Sequence, residues 1–105
     1  MKKIINGKMY DTYTAKIIGF GFVNTNGVYS RYDFRWQEET LYKKKTGEFF
    51  LYGTGGPLTK YAEPDGNRTR WGEKIIPLTV DDAKRFVKKN CDVATYIKLF
   101  GEPKE

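Results

Sequence analysis

Phe34-Arg35-Trp36-Gln37-Glu38-Glu39-Thr40-Leu41-Tyr42-Lys43-Lys44-Lys45-Thr46-Gly47-Glu48-Phe49-Phe50-Leu51-Tyr52-Gly53 reads as two strands folded back on one another. Phe34 and Trp36 alternate with Arg35 and Gln37, and Leu41 then falls on the opposite parity. A bulge or a change of face is therefore expected between Gln37 and Thr40. Lys44-Lys45-Thr46-Gly47 makes the turn, with Gly47 suited to a left-handed position in a short hairpin loop. Glu48 to Tyr52 returns as a strand apolar on both faces, as a central strand must be. Phe34, Trp36, Phe49 and Phe50 are the aromatic core expected of this hairpin.

Working outward, Lys3-Ile4-Ile5 and Lys8-Met9-Tyr10 flank Asn6-Gly7, the dipeptide that best tolerates the positive φ values of a type I′ turn. Asp11 or Thr12 is placed to cap a short helix ending near Ile18, with Gly19 as its left-handed stop. Residues 19–33 read as an irregular loop. Gly53 to Pro57 is expected to turn out of the central strand, and Ala62 to Arg70 to be a polar loop. Glu73 to Leu78 is a further strand, which Pro77 confines to an edge or an end.

Thr79 then caps a helix running to about Lys89, with Asp82 in the capping-box position and Val80, Ala83, Phe86 and Val87 as its apolar stripe. Asp92 caps a second helix bearing Val93, Tyr96, Ile97 and Phe100 on one face, stopped by Gly101. The order β-β-α-β-β-β-α-α describes an α+β fold. An N-terminal hairpin plus a three-stranded antiparallel meander is expected, covered by one short and two C-terminal helices. The 105 residues are read as one domain, 1–105.

Composition narrows the chemistry further. The chain has no histidine and one cysteine, Cys91. Without imidazole there is no Ser-His or Cys-His nucleophile, and one thiol does not build a tetrahedral zinc site. No metal, cofactor or catalytic residue is therefore expected, and Cys91 reads as a small packing residue. No apolar run approaches the roughly 20 residues that cross a bilayer, and Met1-Lys2-Lys3 leads into only Ile4-Ile5. A cytoplasmic protein is expected.

Nineteen Lys and Arg stand against 13 Asp and Glu, giving a formal charge of +6. Residues 1–35 carry +4, residues 36–71 +1 and residues 72–105 +1. Three denser clusters are candidate nucleic-acid or partner contacts: Lys43-Lys44-Lys45, Arg68 and Arg70 beside Trp71, and Lys84, Arg85, Lys88 and Lys89. Each has a plainer reading, as a solvated hairpin tip, a loop, or the solvent face of a helix. Trp71 can stack a base between flanking guanidinium groups or close over the core as a lid, and average tryptophan burial favours the lid.

Other motifs are weaker. Gly53-Thr54-Gly55-Gly56-Pro57-Leu58-Thr59-Lys60 lacks the Lys-Ser/Thr that follows the last glycine of a phosphate loop. Glu38 and Glu39, as strand neighbours, point to opposite faces, and Asp81 and Asp82 are explained by the helix dipole.

Several stretches form a familiar set: residues 2–12, residues 39–53 with Gly55-Gly56-Pro57-Leu58, and Gly72-Glu73-Lys74-Ile75-Ile76-Pro77-Leu78-Thr79. The set resembles small accessory proteins of plasmids and phages of Gram-positive bacteria, a group associated with anti-CRISPR inhibitors of type II RNA-guided nucleases. The resemblance implies a non-enzymatic inhibitor whose partner is the nuclease or its guide RNA. Relatives with an acidic helical end suit mimicry of nucleic acid, whereas Lys84, Arg85, Lys88 and Lys89 suit interference with guide RNA assembly. The alternatives are a general nucleic-acid-binding accessory module of a mobile element and an RNA-cleaving protein built on dispersed carboxylates and lysines.

Overall fold

The hairpin in the middle of the sequence lies in the middle of the sheet. In the computed structural model, which describes residues 1–22, 27–28 and 30–104, it comprises β4 (Gln37–Lys43) and β5 (Phe49–Gly55), with β1 (Lys2–Ile5), β2 (Lys8–Asp11) and β3 (Lys16–Phe22) preceding it. After it come β6 (Glu63–Asp65), β7 (Arg68–Arg70), β8 (Gly72–Leu78), α1 (Val80–Asn90) and α2 (Val93–Phe100). The main sheet is antiparallel in the order β3-β4-β5-β8, while β1-β2 and β6-β7 are separate two-stranded ribbons. The fold is α+β, with β5 central and Pro77 on the edge strand β8, where a missing N–H breaks no ladder.

Local chemistry sets the turns and caps. Asn6 and Gly7 adopt φ of 51° and 77°, the type I′ geometry that joins β1 to β2, and Gly47 takes φ of 94° between β4 and β5. Thr79 and Asp82 form a complete capping box at α1, Asp92 caps α2 through the backbone N–H of Thr95, and Gly101 ends it.

Several sequence expectations are overturned. No helix follows Asp11: its carboxylate accepts from the N–H of Tyr13 at 2.9 Å and one turn closes from Ala15 N–H to the Asp11 carbonyl. The chain then extends as β3, because Ile17, Gly19 and Phe20 gain strand partners in β4. The expected loop over 19–33 therefore begins later, and its positions 23–26 and 29 lie outside the described residues. The β4–β5 register is unbroken, and the irregularity falls instead between Ile17 and Gly19 in β3. Phe34 and Trp36 precede β4, in a run of tight turns. β5 continues through Gly55, and the expected polar loop contains the ribbon β6-β7, turned at Gly66 with φ of 63°. Val80 is 54 % exposed and takes no part in the buried stripe.

Alternation divides the sheet into two faces. On one, Leu41, Phe49 and Leu51 pack with Ala83, Phe86 and Val87 of α1, flanked by Ile76, Leu78, Tyr96 and Phe100. Close approach of α1 to β3 depends on Gly19, where a Cβ would lie 2.6 Å from Cys91 Sγ, and on Gly21, where one would lie 3.0 Å from Phe86. Gly53 similarly makes room for Tyr61, whose ring would lie 2.0 Å from an added Cβ. On the other face, Tyr42, Phe50 and Ile75 are covered by Tyr10, Ile5 and Met1 of the N-terminal segment, with Tyr10 edge-on to Phe50 at 5.4 Å. That ribbon covers one end of this face only.

Candidate nucleic-acid interface

The β4–β5 turn and the N-terminal ribbon meet at one end of the sheet and bring scattered lysines together. Lys44 is the best held. Its ammonium lies 4.3 Å above the Tyr10 ring and 3.4 Å from Glu48, and its side chain is 16 % exposed. Lys8 reaches the same Glu48 carboxylate at 3.1 Å, and this hydrogen bond is the main reason that Glu48 stays charged to lower pH than an ordinary glutamate. Lys45 lines the same hollow, of about 380 Å³, with Lys8, Asp11 and Thr14. Lys16 stands opposite Lys43 in register, and Lys2 and Lys3 lie exposed on β1. Residues 1–16 and 43–48 thus hold seven lysines against Asp11 and Glu48, five of the six net positive charges of the chain.

The helical cluster joins this end only in part. Lys43 lies 5.6 Å from the Phe49 ring, Phe49 lies 5.6 Å from Phe100, and Lys84 lies 5.7 Å from Phe100, so Lys43 and Lys84 flank one aromatic pair. Lys88 instead borders a hollow of about 290 Å³ with Cys91, Tyr96 and Pro103. Burial raises the thiol pKa of Cys91, in keeping with a packing role. Arg85 is paired with Asp82, and Lys89 faces the Glu39–Lys60 region.

A second surface lies at the far end of the sheet, on the face that the N-terminal ribbon leaves open. Successive turns carry the chain past it: Asp33 N–H donates to the Ser30 carbonyl, Trp36 N–H to the Asp33 carbonyl, and Asp33 holds Arg35 through its backbone and guanidinium. That guanidinium keeps the Asp33 carboxyl down at about 2. Bonds from Gly56 N–H to the Trp36 carbonyl and from Leu58 N–H to the Phe34 carbonyl lock the segment against the end of β5. Gly56 is required there, since a Cβ would come within 2.3 Å of the Phe34 oxygen. From the other side, Thr69 bonds to the Pro57 carbonyl at 2.7 Å, and Gly72 passes so close to Tyr61 that an added Cβ would lie 2.3 Å from its carbonyl.

Trp71 is fixed between these anchors. With Arg31, Tyr32, Phe34, Trp36, Glu38 and Thr54 it lines a hollow of about 380 Å³. Tyr32 is 92 % exposed, Phe34 58 % and Trp71 44 %, so the lid reading of Trp71 fails.

The three predicted clusters are therefore not one patch. From Lys43 and Phe49 to Gln37 and Gly55 the register advances six residues, so the lysine end and Trp71 are separated by about 20 Å along the sheet. Arg70 pairs with Glu63 at 3.2 Å, and Arg68 is exposed on β7. Lys8 and Lys16 stand alone in sequence and Lys2 has only Lys3 beside it, so none belongs to a dense cluster, although the +4 of residues 1–35 is their signal. Phe34 and Trp36 line the open hollow rather than the core expected of them. Glu38 and Glu39 do point apart, Glu38 to Arg31 and the Trp36 indole, Glu39 to Lys60 and the Tyr61 hydroxyl. Among the described residues, no three acidic or Cys side chains converge as metal ligands would, and no helix is long and apolar enough to cross a membrane. Comparison with family models, with curated proteins and with solved structures returns no match to this chain.

Proposed function

We propose that this chain is a non-enzymatic binding protein that takes the phosphate backbone of single-stranded RNA on its lysine end. The observation that carries the reading is the gathering there of seven lysines against two carboxylates. Such a surface attracts polyphosphate and releases its counterions on binding. Lys44 and Lys8 are partly spent on Glu48, which leaves Lys16, Lys43 and Lys45 as the best placed contacts. The narrower reading is inhibition of a type II RNA-guided nuclease by competition for its guide. It draws on the resemblance of residues 2–12 and 39–53 to mobile-element inhibitors, and it places the protein in a bacterial cytoplasm.

The test uses the triple variant Lys16→Glu, Lys43→Glu, Lys45→Glu. It should keep the parent circular dichroism and bind RNA more weakly, its salt slope smaller by roughly 0.7 for each phosphate that is no longer neutralised. Parent-like binding by this variant would make the charge merely solubilising. In a cleavage assay the parent should inhibit strongly when mixed with nuclease before guide RNA and weakly afterwards, and the guide should be recovered at full length. Equal inhibition in both orders would move the target to a later step, and shortened guide would favour an RNA-cleaving protein.

A further inference from the structure

The hollow around Trp71 has no role in holding phosphate at the lysine end. Its composition is specific. Two indoles, a phenol and a phenyl ring surround it, with the Glu38 carboxylate and the Thr54 hydroxyl at its wall and the Arg31 guanidinium at its edge. Single exposed apolar residues are ordinary on a protein surface, but four rings around one hollow are a patch. Trp71 also borders a second hollow, of about 480 Å³, shared with Thr54, Glu63, Arg70 and Glu73.

We propose that this aromatic hollow takes unstacked bases of single-stranded RNA, stacked on Trp71 and its neighbours, in the same strand whose phosphates lie on the lysine end. The inference rests on the RNA reading above and adds to it the part of the ligand that is recognised. Charge selects this occupant. Aromatic faces also attract organic cations, but Arg31 lies 3.5 Å from Glu38, so the carboxylate already has its counter-charge and a cationic guest would meet a guanidinium beside it. A neutral planar base is indifferent to this balanced pair: rings stack on it, Glu38 and Thr54 offer polar contacts to its edge, and its phosphate lies on the Arg31 side, since Arg70 is already paired with Glu63.

The two tryptophans of the chain both line this hollow, so intrinsic tryptophan fluorescence reports on it alone. Parent chain is titrated with a 12-nucleotide oligoadenylate and with an abasic ribose-phosphate oligomer of the same length. Oligoadenylate should quench the fluorescence and bind more tightly, and the abasic oligomer should bind through charge without quenching. Trp71→Ala should weaken oligoadenylate binding by roughly 5- to 100-fold and leave abasic binding unchanged, with Trp71→Phe intermediate. Equal quenching by the two oligomers, or parent-like affinity of Trp71→Ala for oligoadenylate, would overturn base recognition and leave the hollow to a protein partner, while the phosphate reading stood. Binding of neither oligomer to the parent would sink both readings.

Discussion

At the scale of single residues, Tyr61 is tightly constrained. It is fully buried, its hydroxyl donates to Glu39, and it occupies the space left by the absent side chain of Gly53. Glu39 is itself 14 % exposed and lies 2.9 Å from Lys60, so loss of the hydroxyl would leave a poorly hydrated carboxylate with one partner fewer. Tyr61→Phe should therefore cost about 1–3 kcal/mol at neutral pH by urea denaturation. Burial first, then the bond to Glu39, raise the Tyr61 pKa well above that of a free tyrosine. Stability from this source is complete below the unfolded value of about 10 and is lost as pH rises beyond it toward the folded value. Melting curves between pH 9 and 11 should accordingly show the parent losing its advantage over Tyr61→Phe. A constant difference across that window would assign the effect to packing alone.

Among the elements, α1 shows how far local rules reach. Thr79 accepts from Asp82 N–H at 3.1 Å and Asp82 returns the bond to Thr79 N–H, so Thr79→Ala should lower stability by about 1 kcal/mol. The Thr79 bonds, with help from Arg85, hold the Asp82 carboxyl below the ordinary aspartate range. Its contribution is thus present above the unfolded value of about 3.9 and is lost as pH falls through the folded one. An Asp82→Asn variant should show a shallower acid loss than the parent in thermal melts from pH 5 to 2, and superimposable slopes would remove the carboxylate from the account.

Both helix starts, the Asn6-Gly7 turn and the Gly47 turn were legible because each depends on a few adjacent residues. The segment after Asp11 was not. Its Asx turn imitates a helix cap for one turn, and only a partner strand beginning fifteen positions beyond its own end, at Gln37, makes Lys16–Phe22 a strand. The same reason hid the aromatic hollow. Whether Phe34 and Trp36 face inward is decided by Gly56 and Leu58, which bind their carbonyls from just beyond the end of β5.

For the whole molecule, the lysine end and the aromatic end divide the work of binding between them on the proposed reading. Long-range charge acts before contact and stacked rings act after it. In stopped-flow mixing with oligoadenylate, Lys45→Glu should slow association and leave dissociation nearly unchanged, whereas Trp71→Ala should speed dissociation. Effects of both variants on the same rate constant would contradict the division. The separation of about 20 Å along β4 and β5 has a further consequence. At the roughly 3.4 Å per nucleotide of a stacked strand, touching both ends takes about six, and fewer where the bases unstack and the strand extends. Oligomers shorter than that engage one end at a time, so affinity should climb steeply near this length and level off beyond it. On the proposed reading the sheet would serve as a ruler, measuring how much of a strand is free of secondary structure.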